Sequence, residues 1–388
     1  MLQNEAMAGF LKAEIAQNGP MDIATFMDHV LAHPELGYYR RQDPFGERGD
    51  FTTSPEISQL FGEIIGAWAA DMWLQMGSPS PFALVEVGPG RGTLMADMMR
   101  ACKGVAGFHE AARIYMVETS PVLRKKQEKA LKGHNAQWFA RFEDVPDGMP
   151  MILIGNEFLD ALPVHQLVKT GKGWRERVIV LAESVAGPHG IRGVLHAMAP
   201  NLLRAGAEDE PFDFRYDTRE ATPELLALVP AGLPDVPDGN IFEVSPQRDG
   251  FVRLAARRIK AQGGVALFID YGSGTSEIGN GLHAIFRHAH VDVLKNPGHA
   301  DLSSNVDFGA VERVARDEGL QVSGPVMQGE FLKTLGIEAR AEVLFRKASA
   351  KQKLDLQGGL YKLVEMDQMG DFIVMGLSYG TNLTPAGF

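Results

Sequence analysis

The chain has 388 residues, 45% of them hydrophobic and 22% charged, a composition typical of globular proteins with one or two domains. Its 49 acidic and 38 basic residues give a net charge of −11, which disfavours nucleic-acid binding through the phosphates. The single cysteine, Cys102, excludes an internal disulfide and a zinc site built on cysteines, and no apolar stretch of the sequence is long enough to insert across a membrane.

Residues 1–80 are predicted to form a helical N-terminal extension that acts as a lid. Gln3–Asn18 is expected to be a helix, because Gly19–Pro20 follows it as a stop signal. Asp22 is expected to cap a second helix that runs to about Ala32. The N-terminal residues lack the pattern of a signal or transit peptide, so we expect a bacterial cytoplasmic protein.

A polar, glycine-rich loop follows residue 37, and a longer helix is predicted after it. Ser54 before Pro55 matches an N-cap followed by proline at the first helical position. The apolar residues from Ile57 onward recur at helical spacing, which predicts that this face packs into the core. An exposed apolar face near Trp68 and Trp73 would instead indicate a homodimer.

From residue 82 the pattern alternates between buried strands and helices, which predicts an α/β fold with a mostly parallel sheet. The predicted strands are Phe82–Val87, Arg113–Glu118, Gln137–Phe139, Met151–Asn156, Val265–Tyr271, Leu320–Val322 and Phe372–Leu377. Residues 81–164 are expected to form the cofactor-binding half of the core, and residues 246–388 its remainder with the C-terminal strands. Residues 165–245 interrupt the pattern and are expected to be an inserted subdomain with a strand at Val178–Leu181.

An apolar run that ends in an acid and is followed by three glycines is the most informative part of the sequence. Ala83–Val87 is predicted to be a buried strand with Glu86 near its end, and Gly88, Gly90 and Gly92 follow. Glycine adopts the backbone angles of a tight turn and permits close approach of a ligand. A turn from a strand into a helix presents backbone N–H groups, so this turn is predicted to bind a nucleotide-like cofactor.

Two cofactors compete for this turn. The dinucleotide pattern G-x-G-x-x-G, counted from Gly88, would need a glycine at the position of Thr93. An acid two residues before G-x-G-x-G, here Glu86, instead resembles motif I of class I S-adenosylmethionine methyltransferases. The methionine end of that cofactor carries an ammonium group, which a carboxylate at the strand end can bind. This chemistry favours S-adenosylmethionine over a nicotinamide dinucleotide.

Other polar residues are predicted to bind the rest of the cofactor. Glu118 ends the next strand, where a carboxylate can accept from ribose hydroxyls in either class of fold. Asp144 or its neighbour Glu143 is expected to accept from the adenine amino group, the alternative being a solvated surface acid. Thr53 and Ser54 are expected to bind the cofactor's carboxylate, unless Ser54 only caps its helix.

The segment after the Met151–Asn156 strand is predicted to hold the methyl acceptor. Glu157 and Asp160 are the candidate catalytic acids, and Asn156 is placed with the cofactor-binding residues. A carboxylate can orient a guanidinium or amine nitrogen and receive its proton. The alternative is that Asn156 or Asp160 caps a following helix.

The histidine-rich segment from His283 to Asp307 matches no zinc spacing, so no metal is predicted. We expect it to be a polar loop near the cleft, and whether it contacts substrate is left open. Asp270–Tyr271–Gly272, which ends a strand, is expected to face the same cleft.

Several motifs together resemble the MidA-like family, which contains the mitochondrial complex I assembly methyltransferase and its bacterial relatives. The resemblance is carried by the motifs Gly49–Glu63, Val85–Leu94, Asn156–Pro163, Phe268–Gly272, Ala300–Leu302 and Val306–Phe308. It covers nearly the whole chain and is loosest around residues 170–240.

The resemblance implies a class I, Rossmann-like methyltransferase fold with S-adenosylmethionine as cofactor. It further implies methylation of an arginine in a protein, with a complex I (NADH dehydrogenase) subunit as the candidate and a mitochondrial matrix location for the eukaryotic relatives. Two alternatives stay open: a NAD(P)-dependent oxidoreductase, and a non-catalytic chaperone of complex I assembly. Asn156–Asp160 differs from the double-glutamate loop of better-known arginine methyltransferases, because its second acid is an aspartate.

Overall fold

A computed structural model describes residues 2–41, 52–182, 213–380 and 383–388. Gly49–Asp50–Phe51 of the motif that precedes the first long strand, and residues 183–212 of the predicted insertion, lie outside the described residues. No helix among the described residues is long and apolar enough to cross a membrane.

The α/β class is confirmed, because the described residues form a central seven-stranded sheet with helices on both faces. The strand order is Gln321–Met327, Ile373–Ser378, Gly264–Asp270, Met151–Asn156, Phe82–Val87, Ala112–Val117 and Gln137–Phe139. The pairings from Gly264–Asp270 to Gln137–Phe139 are parallel, and Ile373–Ser378 is antiparallel to both of its neighbours. The carboxyl ends of the parallel strands therefore meet at one edge, where ligands bind in open α/β sheets.

The strands of this sheet are buried on both faces. In the Phe82–Val87 strand, Phe82 and Leu84 pack into one core, whereas Ala83, Val85 and Val87 pack into the other. Side chains alternate across a strand, so a continuous apolar run is what a doubly covered sheet needs.

Helices from both ends of the chain cover the first of these faces. The covering helices are Gln59–Gln75, Thr93–Ala101, Gln328–Thr334, Ile337–Phe345 and Ala350–Val364. Trp68 and Trp73 are 1% and 3% exposed, which confirms that the aromatics of this helix are core residues. They therefore offer no apolar surface for the homodimer that was considered.

The second face is covered by two helices from the later part of the chain, Pro246–Gln262 and Phe308–Asp317. The described residues also form the short helices Phe108–Ala111, Pro121–Ala130 and Pro223–Leu226, and single 3-10 turns at Cys102–Gly104, Phe142–Asp144 and Met369–Asp371.

The N-terminal residues do not stand apart from the predicted insertion. Helices Leu2–Asn18, Ile23–Ala32 and Tyr38–Arg41 flank a short strand, Met21–Asp22, which pairs with Gly173–Leu181. That strand belongs to a second, antiparallel sheet with His165–Thr170, Phe214–Glu220 and Ile241–Val244. Asp22 caps the Ile23–Ala32 helix through the N–H of Thr25, as predicted.

A charged network fastens this N-terminal strand to the second sheet. Arg219 donates to Glu176 at 2.7 Å and to Asp22 at 3.3 Å, and His165 bonds the other Glu176 oxygen at 2.7 Å. Ligand atoms of Asp22, His165 and Glu176 lie within 4.8 Å of one another. The Arg219 guanidinium already neutralises both carboxylates, so the cluster is an ion-pair network rather than a cation site.

Two expectations about the helix after the glycine-rich loop were wrong. Thr53, not Ser54, is the N-cap of the short helix Ser54–Ile57, and Ser58 then begins a separate helix by accepting from the N–H of Leu60. The reason is tertiary: the N–H and hydroxyl of Ser54 bond residues far along the chain, as described below.

The histidine-rich segment is not a plain loop. His283–Phe286, Ala289–Val291 and Asp301–Ser303 form a small antiparallel sheet, and Gly272–Ser273 pairs with Val306–Asp307 beside it.

Candidate functional site

The glycine turn lies at the carboxyl edge of the central sheet, between the Phe82–Val87 strand and the Thr93–Ala101 helix. Gly88, Gly90 and Gly92 all have positive φ, at 62°, 52° and 81°. A Cβ atom added to Gly88 would lie 2.8 Å from a ring carbon of Phe158. Only glycine satisfies both the backbone angle and this close approach, so the sequence prediction of a tight strand-to-helix turn is confirmed.

Glu86 is buried beneath this turn and carries an unused acceptor. Its side chain is 3% exposed, and its Oε2 has no hydrogen-bond partner among the described residues. Burial raises the pKa of Glu86 to about 8, although the backbone N–H of Met95 lowers it. A buried acceptor without a partner is costly, so this oxygen is positioned for a donor that a ligand supplies.

Gln127 connects the glycine turn to the predicted ribose-binding acid. Its amide nitrogen donates to the Gly90 carbonyl at 2.7 Å and to Glu118 Oε2 at 2.9 Å. Its oxygen accepts from Trp138 Nε1 at 2.8 Å, which can only donate and therefore fixes the orientation of the amide. Glu118 lies one residue beyond its strand, and its Oε1 accepts from the N–H of Ser120 at 2.6 Å. Burial raises the pKa of Glu118 to about 7.

A cavity of about 570 Å³ opens beside Glu118. The sheet edge supplies one wall, and the N-terminal helices supply another through Met27, Leu31 and Tyr39. The size suits a nucleoside, since small-molecule sites typically measure about 300–1,000 Å³. Of the two acids predicted near adenine, Glu143 lines this cavity, whereas Asp144 is exposed and is not among its lining residues.

A second, smaller cavity of about 30 Å³ lies on the other side of the glycine turn. The two cavities share Gly88, Gly90 and Glu157 in their walls. The acids that line the smaller cavity are Glu56, Glu86 and Glu157, and the amide of Asn156 joins them. Asn156 Oδ1 is a second buried acceptor with no partner among the described residues.

Glu157 lies where the two cavities meet. Its φ of 49° is unusual for a residue other than glycine, and such strain is characteristic of functional positions. Its Oε1 accepts from the N–H of Ser54 at 2.8 Å and from Asn156 Nδ2 at 2.9 Å. Burial raises the pKa of Glu157 to about 7, and these two donors oppose that shift.

Asp270 holds the turn that carries Glu157. Its Oδ2 accepts from the backbone N–H groups of Phe158, Leu159 and Asp160 at 3.0, 2.8 and 3.3 Å. Asp270 is completely buried, and the buried guanidinium of Arg248 compensates its charge and donates to the Leu159 carbonyl at 3.0 Å. No helix follows this turn among the described residues, so neither Asn156 nor Asp160 acts as the helix cap that was considered.

Asp160 lines neither cavity. Burial raises its pKa to about 6, and the charge of Arg248 opposes that shift. Glu157 therefore lines the cavities, whereas Asp160 lies outside their walls and its charge raises the pKa of Glu157.

The segment from Thr53 to Ser58, which we call the strap, contributes Thr53, Pro55 and Glu56 to the wall of the small cavity. Thr53 lines the cavity, but Ser54 does not, because its N–H bonds Glu157 and its hydroxyl bonds Gln328 at 3.3 Å. Glu56 accepts from Arg91 at 3.1 Å and from the hydroxyl of Thr93, so the strap is tied to the glycine turn as well.

Sequence reasoning missed several residues of this site. Gln127 and Arg248 gave no signal, because each lies in a helix with nothing local to distinguish it. Asp270 and Tyr271 were expected to face the cleft, but neither lines either cavity, and Asp270 is buried and acts through the turn that carries Glu157. Tyr39, which donates to Asp301 at 2.7 Å and lines the large cavity, comes from a helix that the sequence did not predict.

The residues present fit S-adenosylmethionine. The orphaned Glu86 oxygen lies beside a turn in which a Cβ at Gly88 would collide with Phe158, and Glu118 offers a carboxylate at the next strand end. Glu86 therefore matches the ammonium group of the cofactor, the glycine turn matches the part of the cofactor that approaches the backbone closely, and Glu118 matches the ribose.

Comparison with known proteins gives the same family. A family model described as "Putative S-adenosyl-L-methionine-dependent methyltransferase" matches residues 64–326. The mitochondrial protein arginine methyltransferase NDUFAF7 homolog of Drosophila melanogaster is 36% identical over 390 residues, covering 94% of this chain and 83% of that protein. The Homo sapiens protein arginine methyltransferase NDUFAF7 is 34% identical, covering 91% of this chain and 78% of that one. The family expected from the motifs is confirmed.

Solved structures agree. A Burkholderia thailandensis chain bound to S-adenosyl-homocysteine superimposes with a TM-score of 0.79 at 25% identity, covering 100% of this chain and 95% of that one. A native structure from the same organism gives a TM-score of 0.80 at 26% identity with the same coverage. The cofactor class predicted from Glu86 and the glycines is confirmed by the family match and by the first of these structures.

Proposed function

The chain belongs to this S-adenosyl-L-methionine-dependent methyltransferase family, and from that membership we propose that it methylates an arginine side chain of a protein. Its relatives in fly, frog and mouse are named protein arginine methyltransferases. The single observation that carries the proposal is Glu157, a strained, buried acid at the junction of the two cavities.

The cofactor supplies a methyl group on a positively charged sulfur. Its amino-acid end would bind at Glu86 and at the backbone of the glycine turn, with Asn156 and Thr53 in the same cavity wall. Glu118 would accept from the ribose hydroxyls, and Glu143, rather than Asp144, would lie near the adenine. Ser54 would act indirectly, by holding Glu157.

Glu157 would bind the guanidinium of the acceptor. A carboxylate accepts the N–H groups of a guanidinium by charge-assisted bonds and so fixes which nitrogen lone pair faces the methyl group. The nitrogen that gains the methyl must lose a proton, and a carboxylate with a pKa of about 7 can take it near neutral pH. Asp160 would support this role through the charge network with Arg248 and Asp270.

The acceptor protein we propose is a subunit of the NADH dehydrogenase complex, with the chain acting in the bacterial cytoplasm during assembly of that complex. The supporting argument is the family resemblance.

We further propose roles for the segments of the chain: residues 1–80 form a lid, residues 81–164 and 246–388 form the catalytic core, and residues 165–245 form an inserted subdomain. The proposal leaves a homodimer open, since no contact among the described residues supports one.

The test is mass spectrometry of the candidate subunit after incubation with the purified protein and S-adenosylmethionine. We expect a mass increase of one or two methyl groups on an arginine, absent without the cofactor. Binding of the subunit without methylation would favour the assembly-chaperone alternative. Thermal stabilisation by NAD but not by S-adenosylhomocysteine would favour an oxidoreductase.

A further inference from the structure

Arg91 in the glycine turn lies in the wall of the small cavity, where we propose that the cofactor's amino-acid end binds. It lines the small cavity together with Glu56, Glu86 and Glu157, and it is the only basic residue among the described residues that do so. The amino-acid end of S-adenosylmethionine carries one ammonium and one carboxylate. Three acids and one arginine therefore meet a ligand that itself brings a negative charge.

The acids of the small cavity suit the positive charge of the ligand and not its carboxylate. Glu86 has the orphaned oxygen that suits the ammonium, and Glu157 already accepts from Ser54 and Asn156. The ammonium favours the charged form of Glu86, and an ionised Glu86 or Glu157 cannot bind a carboxylate, since like charges at close range repel. Ser54, whose N–H is taken by Glu157, offers no donor either.

Arg91 is at present bonded to a carboxylate of the protein itself. Its Nη1 donates to Glu56 Oε2 at 3.1 Å, and the other oxygen of Glu56 accepts from the hydroxyl of Thr93. Both partners of the ion pair line the cavity, whose volume of about 30 Å³ has room for about two water molecules. A ligand carboxylate that enters this cavity therefore meets an arginine that is already paired with Glu56.

We infer that Arg91 binds the carboxylate of the cofactor and that Glu56 occupies this position on Arg91 when no cofactor is bound. Glu56 then acts as an internal competitor: the guanidinium exchanges one carboxylate for another, and Glu56 keeps the Thr93 hydroxyl. Because Glu56 belongs to the strap that also binds Glu157 through Ser54, the exchange links cofactor entry to the position of the candidate catalytic acid. This inference rests on the use of S-adenosylmethionine stated above.

The test compares two ligands that differ only in the carboxylate. S-adenosylmethionine and its decarboxylated form, which keeps the ammonium, are titrated by calorimetry into the wild-type protein and into Arg91→Met. Loss of one charge-assisted bond predicts an affinity for S-adenosylmethionine reduced roughly tenfold in Arg91→Met, with the affinity for the decarboxylated ligand within about twofold of wild type. Equal losses for both ligands, or no loss for either, would overturn the inference.

Glu56→Gln tests the competitor from the other side. Removing the negative charge frees Arg91, so S-adenosylmethionine should bind more tightly relative to the decarboxylated ligand. An unchanged ratio contradicts the competition, and this variant decides the question if Arg91→Met does not fold. Arg316→Met is the matched control. Arg316 makes a surface ion pair with Glu312, with an N···O distance of 2.7 Å, and neither residue lines either cavity. If the wild-type protein binds neither ligand, the cofactor assignment fails instead of this inference.

Discussion

The backbone N–H of Ser54 donates to Glu157 Oε1 at 2.8 Å, although 103 residues separate the two. This bond joins the strap that precedes the first long strand of the central sheet to the acid at the end of the Met151–Asn156 strand. It holds one oxygen of Glu157 and fixes the side chain at the junction of the two cavities. The candidate catalytic group therefore depends on a residue that the glycine-turn motif does not contain.

Glu157→Gln tests the role of this carboxylate in transfer. The amide oxygen can still accept from Ser54 and Asn156, so the fold and the affinity for S-adenosylhomocysteine should stay close to wild type. Loss of the proton acceptor should lower the rate of methyl transfer by about 100-fold or more. Calorimetry and a single-turnover methylation assay measure the two effects separately. Glu342→Gln, an exposed acid on a distant helix, is the control, and wild-type transfer by Glu157→Gln would remove Glu157 from the mechanism.

Gly88→Ala tests the close approach at the glycine turn. The added Cβ would lie 2.8 Å from Phe158, which lines the large cavity, so we expect the affinity for S-adenosylhomocysteine to fall about tenfold or more. Gly148→Ala is a matched control, since Gly148 also has a positive φ, of 92°, but no described atom lies within 4 Å of its added Cβ. Both variants carry the cost of the left-handed backbone, about 1 kcal/mol, and only the first should lose binding. Equal binding by the two would show that the turn tolerates a side chain.

Gln127→Leu tests the bridge between the glycine turn and Glu118. The change leaves the Gly90 carbonyl, Glu118 Oε2 and Trp138 Nε1 without the partners that Gln127 provides. We expect the free energy of unfolding to fall by about 2–4 kcal/mol and the cofactor affinity to fall with it. Chemical denaturation and calorimetry give the two values. Gln321→Leu, at an exposed strand position, should change neither value. If Gln127→Leu has the wild-type stability and affinity, water replaces the amide.

Asp270→Asn tests whether the turn that carries Glu157 is held from below. The asparagine must direct its NH₂ group either at the N–H groups of residues 158–160 or at that of Tyr271, and both are donors. We expect kcat to fall about 10- to 100-fold through misplacement of Glu157, while the affinity for S-adenosylhomocysteine changes by less than about threefold. Thermal unfolding measured in parallel shows the temperature at which the variant is fully folded. A lower stability with an unchanged kcat would limit Asp270 to a structural role.

The pH dependence of stability tests the state of Glu86. The pKa of Glu86 is about 8 in the folded protein, whereas the ordinary value for an unburied glutamate is 4.5. Between these two pH values the folded state therefore binds a proton at Glu86 that the unfolded state does not bind. Stability is therefore lost as the pH rises through this window, and Glu86→Gln removes that loss. We expect the melting temperature of Glu86→Gln to exceed that of wild type increasingly from about pH 5 to about pH 9. A constant difference would mean that Glu86 is ionised throughout.

The same group predicts proton release on ligand binding. The ammonium of S-adenosylhomocysteine favours the charged form of Glu86, so binding at about pH 7 should release up to about one proton in the wild-type protein and less in Glu86→Gln. Calorimetry in two buffers of different ionisation enthalpy measures this number. Equal release by both proteins would assign the proton to another group.

The sequence by itself determined the cofactor turn, the main strands and the family. Glu86 and the three glycines lie within seven consecutive residues, and their spacing alone restricts the backbone and the ligand chemistry. Largely apolar runs such as Phe82–Val87 identified strands that are buried on both faces, because side chains alternate across a strand and both faces of this sheet are covered.

Only the tertiary structure decided which of the neighbouring acids face the cavities. Glu157 lines both cavities while Asp160, three residues away, lines neither, and the turn between them is held by Asp270, a residue more than 100 positions distant. Thr53 rather than Ser54 occupies the N-cap position for a similar reason, since Glu157 accepts from the Ser54 N–H and Gln328 accepts from the Ser54 hydroxyl. A hydrogen bond depends on which groups the packing of distant segments brings together, and local spacing carries no record of that choice.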